Sequence, residues 1–437
     1  MTAPHLSAAA RRRLIRTSAG IGLVGVLALA GCGRTDAAAD SATTTVDDSP
    51  ATGTVEVWVP DGDGTGLETV IEPFLEENPD VDVELTVIPE DEYNTKLSSA
   101  IAAGTAPDVA QLYTESQAQF IKGGSFAAVP DGLVDEDSFF SGAWDAGTVD
   151  GTTYSVPWYA YTYALVYRAD LAAEAGVEAP TTWDEFPAFL QALQDAGADH
   201  GFSADVGWDS YTGQFVAQLD WQAGGDLISD DGSAWTLDTD EMVSALSHYA
   251  SYFTGGYTST DGPSFLDSQP YFVEGKTASI VTGPWVIGQY DDVAGQDGWT
   301  AENVATAPVP AGDGGSISSL GGGSWGVLAD SDNSDASWKL IQYLSDEDTQ
   351  LTQYADYGSL PAVESAWSDP TIADQSLLDA YFEQMKTART YPQSTTWPQI
   401  ATQLGAEMEA VARGTKTAEQ AASDIQSFAD SLGTGTE

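Results

Sequence analysis

Hydrophobic and polar residues change rhythm along this chain in a way that predicts alternating strands and helices. Val55, Val57 and Val59 are spaced by two, with Glu56 and Trp58 between them, which is the period of a half-buried strand. A Gly/Asp loop follows, then Leu67 to Glu77 reads as a helix, and Val81-Asp82-Val83-Glu84-Leu85-Thr86-Val87 returns to alternation. Further strands are predicted at Tyr161 to Tyr167, Thr277 to Val281 and Gly326 to Leu328. Helices are predicted at Trp183 to Asp195, opened by a Thr182-x-x-Glu185 capping box, and at Ala336 to Leu344. The C-terminal third reads as mostly helical, from Pro398 to Val411 and, after a Thr417-x-x-Gln420 box, on to Leu432. Gly/Ser/Asp-rich stretches at 311–316 and 330–335 are predicted loops. Strand-helix alternation of this kind points to an α/β layer fold, and no short-period repeat suggests a solenoid or propeller.

The N-terminus follows a different pattern. Arg11-Arg12-Arg13-Leu14-Ile15-Arg16 precedes an apolar run from Ala19 to Ala30, broken by Gly20, Gly22 and Gly25. The run is shorter than the roughly 20 apolar residues of a membrane-spanning helix, so residues 1–31 read as a signal peptide. The paired arginines also resemble a twin-arginine export signal. Cys32 closes the run and is the only cysteine in the chain, which excludes a disulfide framework and any Cys-based metal or catalytic site. Leu29-Ala30-Gly31-Cys32 resembles the lipobox of prokaryotic lipoproteins, which implies acylation at Cys32 and an anchor on the outer face of the cytoplasmic membrane. Residues 32–52, rich in Ala, Thr, Ser and Asp, are then a lipid-anchored flexible tether.

Charge narrows the possible partners. The 437 residues carry 67 acidic and 14 basic side chains, a net charge of -53. Arg11, Arg12, Arg13, Arg16 and Arg34 lie in or beside the leader, so the remainder is more acidic still. Such a surface repels phosphate backbones and anionic lipid, which excludes nucleic acid as a partner. It reads as adaptation to high salt, where screening shortens the range of carboxylate repulsion. With 13 Trp, 18 Tyr and 14 Phe the chain can build sizeable cores, and its length suggests two domains.

Several local patterns mimic known chemistry. Gly322-Gly323-Ser324-Trp325-Gly326 satisfies the G-x-S-x-G spacing of a nucleophile elbow, but no His follows Ser324 and the residues after it read as strand, where an elbow needs a helix. Gly275-Lys276-Thr277 resembles the end of a phosphate-binding loop, yet Pro270 stands where the first Gly belongs. Asp61-x-Asp63-x-Thr65-Gly66-x5-Glu72 has EF-hand spacing, but a strand enters it instead of a helix, so the segment reads as a strand-to-helix loop at the lip of a cleft and no metal is assigned. Tyr159, Tyr161 and Tyr163 lie two apart and would share one face of a strand. Aromatic faces with hydroxyl tips suit a sugar, whose C-H patches pack on rings while its hydroxyls take hydrogen bonds.

An ordered set of segments carries a family resemblance. Gly151-Thr152-Thr153-Tyr154-Ser155-Val156-Pro157-Trp158-Tyr159, Ala164-Leu165-Val166-Tyr167-Arg168-Ala169-Asp170-Leu171 and Ala179-Pro180-Thr181-Thr182-Trp183-Asp184-Glu185-Phe186 resemble the central part of ABC-transporter extracellular sugar-binding proteins, the maltose-binding-protein-like group of solute-binding protein family 1. Glu274 to Ala278, Gly283-Pro284-Trp285, Pro308 to Pro310, Gly321 to Gly326 and Leu360-Pro361-Ala362 follow in the family's order, together covering nearly all of 54–432. The resemblance implies an α/β, type II periplasmic-binding-protein-like fold of two lobes joined by a hinge. Lobe 1 would comprise 53–160 and 307–352, and lobe 2 would comprise 161–306 and 353–437. It implies ligand contacts from Tyr159 and Tyr161 at the first crossover and from Trp285 in the second lobe, with Trp58, Gly323, Trp325 and Trp397 as weaker candidates. Polar contacts are expected from Asp61, Asp63 and Glu115, whereas Asp108 is expected to brace its turn and Tyr163 to be core. Tyr161 departs from relatives that often carry a carboxylate there.

The function so implied is a monomeric, cofactor-free, non-enzymatic lipoprotein that binds a neutral sugar, an oligosaccharide before a monosaccharide, and passes it to permease subunits powered by a cytoplasmic ATPase. The alternatives are an exported glycoside hydrolase using two carboxylates in an aromatic cleft, and a ferric-iron binder using the Tyr cluster.

Overall fold

A computed structural model describes residues 46–435 except Asp48 and Thr65; the expected signal peptide, Cys32 and most of the tether lie outside the described residues. Two sheets carry the architecture. Their strands are β1 (Thr52–Pro60), β2 (Asp80–Ile88), β3 (Val109–Tyr113), β4 (Val156–Thr162), β5 (Ala164–Arg168), β6 (Ser279–Thr282), β7 (Val304–Ala307) and β8 (Leu320–Val327). The larger sheet has the order β2-β1-β3-β8-β4, with β1 parallel to β2 and β3, and β8 antiparallel to β3 and β4. The smaller has the order β6-β5-β7, with both outer strands antiparallel to β5.

The single strand expected over Tyr161 to Tyr167 is two strands separated by Tyr163. Residues up to Thr162 pair with β8 in the larger sheet, while residues from Ala164 pair with β6 and β7 in the smaller. The chain therefore crosses between sheets within one residue. At β8 the strand begins six residues before the expected start, because Gly321, Gly322 and Gly323 are poor strand formers whose place in the ladder only the neighbouring strands reveal.

The principal helices are α1 (Leu67–Glu77), α2 (Glu90–Ala103), α3 (Phe186–Asp195), α4 (Ser210–Ala223), α5 (Asp240–Thr254), α6 (Ser334–Leu344), α7 (Glu347–Tyr357), α8 (Trp397–Ala412) and α9 (Ala418–Leu432). The β1-α1-β2 unit follows the alternation in the sequence closely. At α9 the expected capping box forms, with Thr417 Oγ1 accepting from Gln420 N at 3.3 Å and Gln420 Oε1 accepting from Thr417 N at 3.1 Å. The box expected at Thr182 does not open a helix. Thr182 bridges to Ala311, the Trp183 amide donating to the Ala311 carbonyl at 2.9 Å, residues 183–185 form a turn, and Glu185 accepts from the Thr181 amide instead, so α3 starts at Phe186.

Three hydrophobic clusters hold these layers. One lies on the face of the larger sheet that carries Trp158 and Trp325 and also takes in Phe272, Tyr290 and residues 360–385. The opposite face packs Ile88, Tyr93, Leu97, Leu112 and Phe126. The third is helical, with α3, α4, α5, α8 and α9 closing on Phe202, Trp221, Tyr249 and Trp397. Asp108 braces its turn: its carboxylate accepts from the Glu56 amide at 3.0 Å and the Ser331 hydroxyl at 2.6 Å. Among the described residues no helix is long and apolar enough to cross a membrane.

Candidate functional site

The tyrosine face of β4 lies against the glycines of β8. Tyr161 pairs with Gly321 and Tyr159 with Gly323, and the two rings stack with centroids 6.4 Å apart and planes 18° from parallel. A Cβ at Gly321 would overlap the Tyr161 ring, and one at Gly323 would overlap the Tyr159 ring and the Gln111 amide. The glycines thus let both rings lie across the sheet. Gly323 serves as the bed for Tyr159.

Above these rings is a cavity of about 310 Å³. One wall comes from the ends of the parallel strands: Asp63 after β1, Glu90 after β2, and Tyr113 and Glu115 at the end of β3. Tyr159, Tyr161 and Gly321 form its floor. The facing wall comes from Ser210, Tyr211 and Gln214 in the first turns of α4, with Tyr391 beside them. Asp209 caps α4 by accepting from the amides of Tyr211, at 2.9 Å, and Thr212, which fixes where these side chains leave the helix. Two residues after Tyr391, the Gln393 carbonyl accepts from Lys122 Nζ at 2.8 Å.

Of the residues expected at the site, Asp63, Glu115, Tyr159 and Tyr161 are brought together around this cavity. Trp285 stands one ring back, meeting Tyr161 edge to face at 5.2 Å and Tyr163 at 5.8 Å. Asp61 braces the rim, its Oδ1 accepting from the amides of Gly62 at 3.0 Å and Glu90 at 3.1 Å. Three tryptophans lie elsewhere. Trp58 packs half-buried against the Tyr93 and Leu97 cluster. Trp325 is 0% exposed with its ring 4.6 Å from Trp158. Trp397, 2% exposed, stacks at 5.2 Å behind Tyr391. They fall away from the cavity because strand alternation and helix packing turn them into cores. Tyr163, expected to be core, is only partly buried and lines the cavity too, because it stands at the crossover between β4 and β5. Glu90, Tyr113, Ser210, Tyr211, Gln214 and Tyr391 are among the lining residues that sequence reasoning missed. Tyr113 could have been found as the i−2 neighbour of Glu115; nothing in the local pattern marks Tyr391.

The spurious motifs resolve structurally. Ser324 is buried in mid-strand, paired on both sides by β3 and β4, and so cannot stand on an elbow. Residues Asp61–Gly64 form one helical turn that presents Asp63 to Tyr159, and among the described residues no group of three or more His, Cys, Asp or Glu is placed to hold a metal ion.

Electrostatically the cavity is acidic, with Asp63, Glu90 and Glu115 in its wall and, among the described residues, neither Lys nor Arg. Tyr159 Oη donates to Asp63 Oδ2 at 2.9 Å. Burial pushes the Asp63 carboxyl up to about 7, the Tyr159 bond opposes that rise, and the Glu90 charge adds to it. Glu115 is also raised to about 7 by the protein crowded around it, with Asp63 and Glu90 contributing. The Glu115 side chain stays exposed inside the cleft, where water screens it, so Asp63 is the firmer case. The hydroxyls of Tyr159, Tyr161 and Tyr163 are pushed well above their ordinary value by burial, so all three remain neutral donors. The site can stack sugar rings on a neutral aromatic floor and hold hydroxyls with carboxylates and phenols.

Residues 60–351 match the family profile described as bacterial extracellular solute-binding protein. Among solved structures, the sugar-binding protein MalE of Xanthomonas citri superposes with a TM-score of 0.80 at 27% identity, covering 87% of this chain and 97% of that one. The GacH receptor of Streptomyces glaucescens, solved unliganded and with acarbose, gives 0.73 at 28% identity, covering 87% and 98%. The galactooligosaccharide-binding protein of Bacillus subtilis is 24% identical over 387 residues, 84% of this chain and 86% of that protein. The fold is the two-lobe α/β fold of these MalE-like proteins, and the relatives are binding proteins rather than enzymes.

Proposed function

Since the chain belongs to the bacterial extracellular solute-binding protein family, we propose that it captures a neutral oligosaccharide at the tyrosine-floored cavity and delivers it to the permease of an ABC importer. The observation that carries this reading is the stacked pair Tyr159 and Tyr161, lying flat over Gly323 and Gly321 and ringed by Asp63, Glu115 and the first turn of α4. Its volume falls in the range of small-molecule sites, roughly 300–1,000 Å³.

Ligand held by β4 on one side and by Tyr211 and Gln214 on the other would favour the closed arrangement, because only contacts made differently in the two states shift their balance. Closure would act between 53–160 with 307–352 and 161–306 with 353–437, although residues 360–385 share the core of the larger sheet. A lipid on Cys32 and the tether to residue 52 would hold the monomer at the outer face of the cytoplasmic membrane after signal-peptide removal, and the acidic surface would keep it soluble in high salt.

A thermal-shift screen against neutral mono- and oligosaccharides in high salt tests the reading. At about 100 times its Kd a true ligand adds about 2.7 kcal/mol of stability and raises Tm visibly. Tyr161→Ala should weaken that ligand about tenfold or more while leaving the ligand-free Tm within a few degrees, since the ring sits over the cavity and not in a core. If no sugar in the panel moves Tm, or the sugar is hydrolysed during a day's incubation, the proposal fails.

A further inference from the structure

The cavity continues past Tyr163. A second, smaller pocket extends from it into the helical half of the molecule, and Tyr163, Tyr211, Gln214 and Tyr391 line both. Chemistry changes across that shared wall. The first cavity carries Asp63, Glu90 and Glu115, whereas the second is walled by the rings of Phe202, Phe215 and Phe265 with Val281. The one carboxylate among its described lining residues, Asp205, is already engaged by the Thr212 hydroxyl at 2.7 Å and by the amides of Gly207 and Phe265, each at 3.0 Å.

Size limits the occupant. The pocket leaves about 30 Å³ for the centres of water-sized molecules. One water needs roughly 10–15 Å³ on that measure, so a methyl with its neighbouring atom fits and a sugar ring does not. At the junction of the two spaces, the side-chain amide of Gln214 makes no hydrogen bond to another described residue and can both donate and accept.

Resting on the sugar-binding reading above, we propose that the ligand bears an acetamido substituent, its methyl inserted among Phe202, Phe215 and Phe265 and its amide paired with the Gln214 side chain. This group meets both demands at once. A hydroxyl in the same position would leave the aromatic pocket to trapped water, and an ammonium would lose its hydration with the Asp205 carboxylate already engaged by other donors. The polar cavity then holds the sugar rings and the aromatic pocket selects their substituent.

Calorimetric titration of the whole exported chain with sugars matched except at carbon 2 tests this: N,N'-diacetylchitobiose, chitobiose and cellobiose, with N-acetylglucosamine against glucose, and maltotriose as an unrelated neutral oligosaccharide. The acetamido member of each matched set should bind about tenfold or more tighter than its hydroxyl or amino counterpart. Gln214→Leu and Ser203→Leu, the latter filling the pocket from its edge, should each shrink that gap, with ligand-free melting curves showing that the variants fold. If cellobiose or maltotriose binds as well as the acetamido sugars, the acetamido proposal is overturned and the sugar-binding reading stands. If no sugar binds, both fall.

Discussion

The two walls of the cavity are held by different physical means. On the sheet side Tyr159 and Tyr161 are fixed by ladder register, each opposite a glycine of β8, and Tyr159 is tied to Asp63 by a 2.9 Å hydrogen bond. On the helix side Ser210, Tyr211 and Gln214 depend on one capped turn, and Tyr391 depends on its stack against Trp397. Tyr211 is 46% exposed and is steadied by a ring contact to Phe265 at 6.1 Å. A sheet floor of this kind presents rings in one geometry, while a helix end can adjust. The sheet side is therefore suited to recognising the sugar plane, and the helix side to reading what hangs from it.

The largest expected effect tests what lies under the helix side. Asp220, two turns below Gln214 on α4, is 0% exposed, and neither of its carboxylate oxygens has a hydrogen-bond partner among the described residues. Burial pushes it up to about 7 from an ordinary 3.8; Asp226 and Glu241 add to the rise, and Arg389 opposes it. Because the folded value is raised, the stability is complete below the unfolded carboxylate range and is lost as pH climbs from about 4 through about 7. At 1.36 kcal/mol per unit this loss is on the order of 4 kcal/mol. Asp220→Asn should match the parent near pH 4 and be more stable by a few kcal/mol above pH 7, read as Tm against pH. Coinciding curves at pH 8 would mean that the helix side rests on no buried charge. Asp63→Asn should flatten the same window by less, since Asp63 is only half-buried and already bonded to Tyr159.

Next in size is a strike at the sheet side. Gly323→Val puts a branched side chain where the Tyr159 ring and the Gln111 amide already sit. Overpacking of this kind costs about 1–3 kcal/mol. The ring must leave its bed, so sugar affinity should fall about 100-fold while the fold survives, checked by calorimetry beside a melting curve. Undiminished affinity would show that the floor is not what holds the ligand.

This contrast also explains how much was legible in the sequence. Period-two alternation exposes strands whose one face is buried, as at Val55 to Val59, and Tyr159 and Tyr161 declare a shared face by spacing alone. Asp63 sits in a loop that the strand-to-helix pattern places at the lip of a cleft, whereas Glu115 is placed only by the family resemblance. The helix side had no such grammar. Ser210, Tyr211 and Gln214 become a wall only because α4 packs with its first turn at the cleft, and Tyr391 comes from a loop more than 160 residues after α4 ends. Trp325 and Trp397 misled for the converse reason. A large aromatic carries the same letter whether it faces a ligand or a core, and here the cores claimed both.

The smallest effect discriminates most finely between a rigid and an adjustable helix side. Asp209→Ala removes the cap that accepts from the Tyr211 and Thr212 amides, and losing such a cap costs about 1 kcal/mol. If α4's first turn is positioned by that cap, Tyr211 and Gln214 loosen together, and sugar affinity should drop a few-fold alongside a Tm loss of a few degrees. Two other restraints compete: the Thr212 hydroxyl donates to Asp205 at 2.7 Å, and Tyr211 leans on Phe265. Should Tm fall while affinity stays constant, those two are sufficient and the helix side is as fixed as the sheet side. Should affinity fall and then recover in Asp209→Asn, whose side-chain oxygen can accept the same bonds, the turn is set by its cap and the asymmetry between the two walls holds.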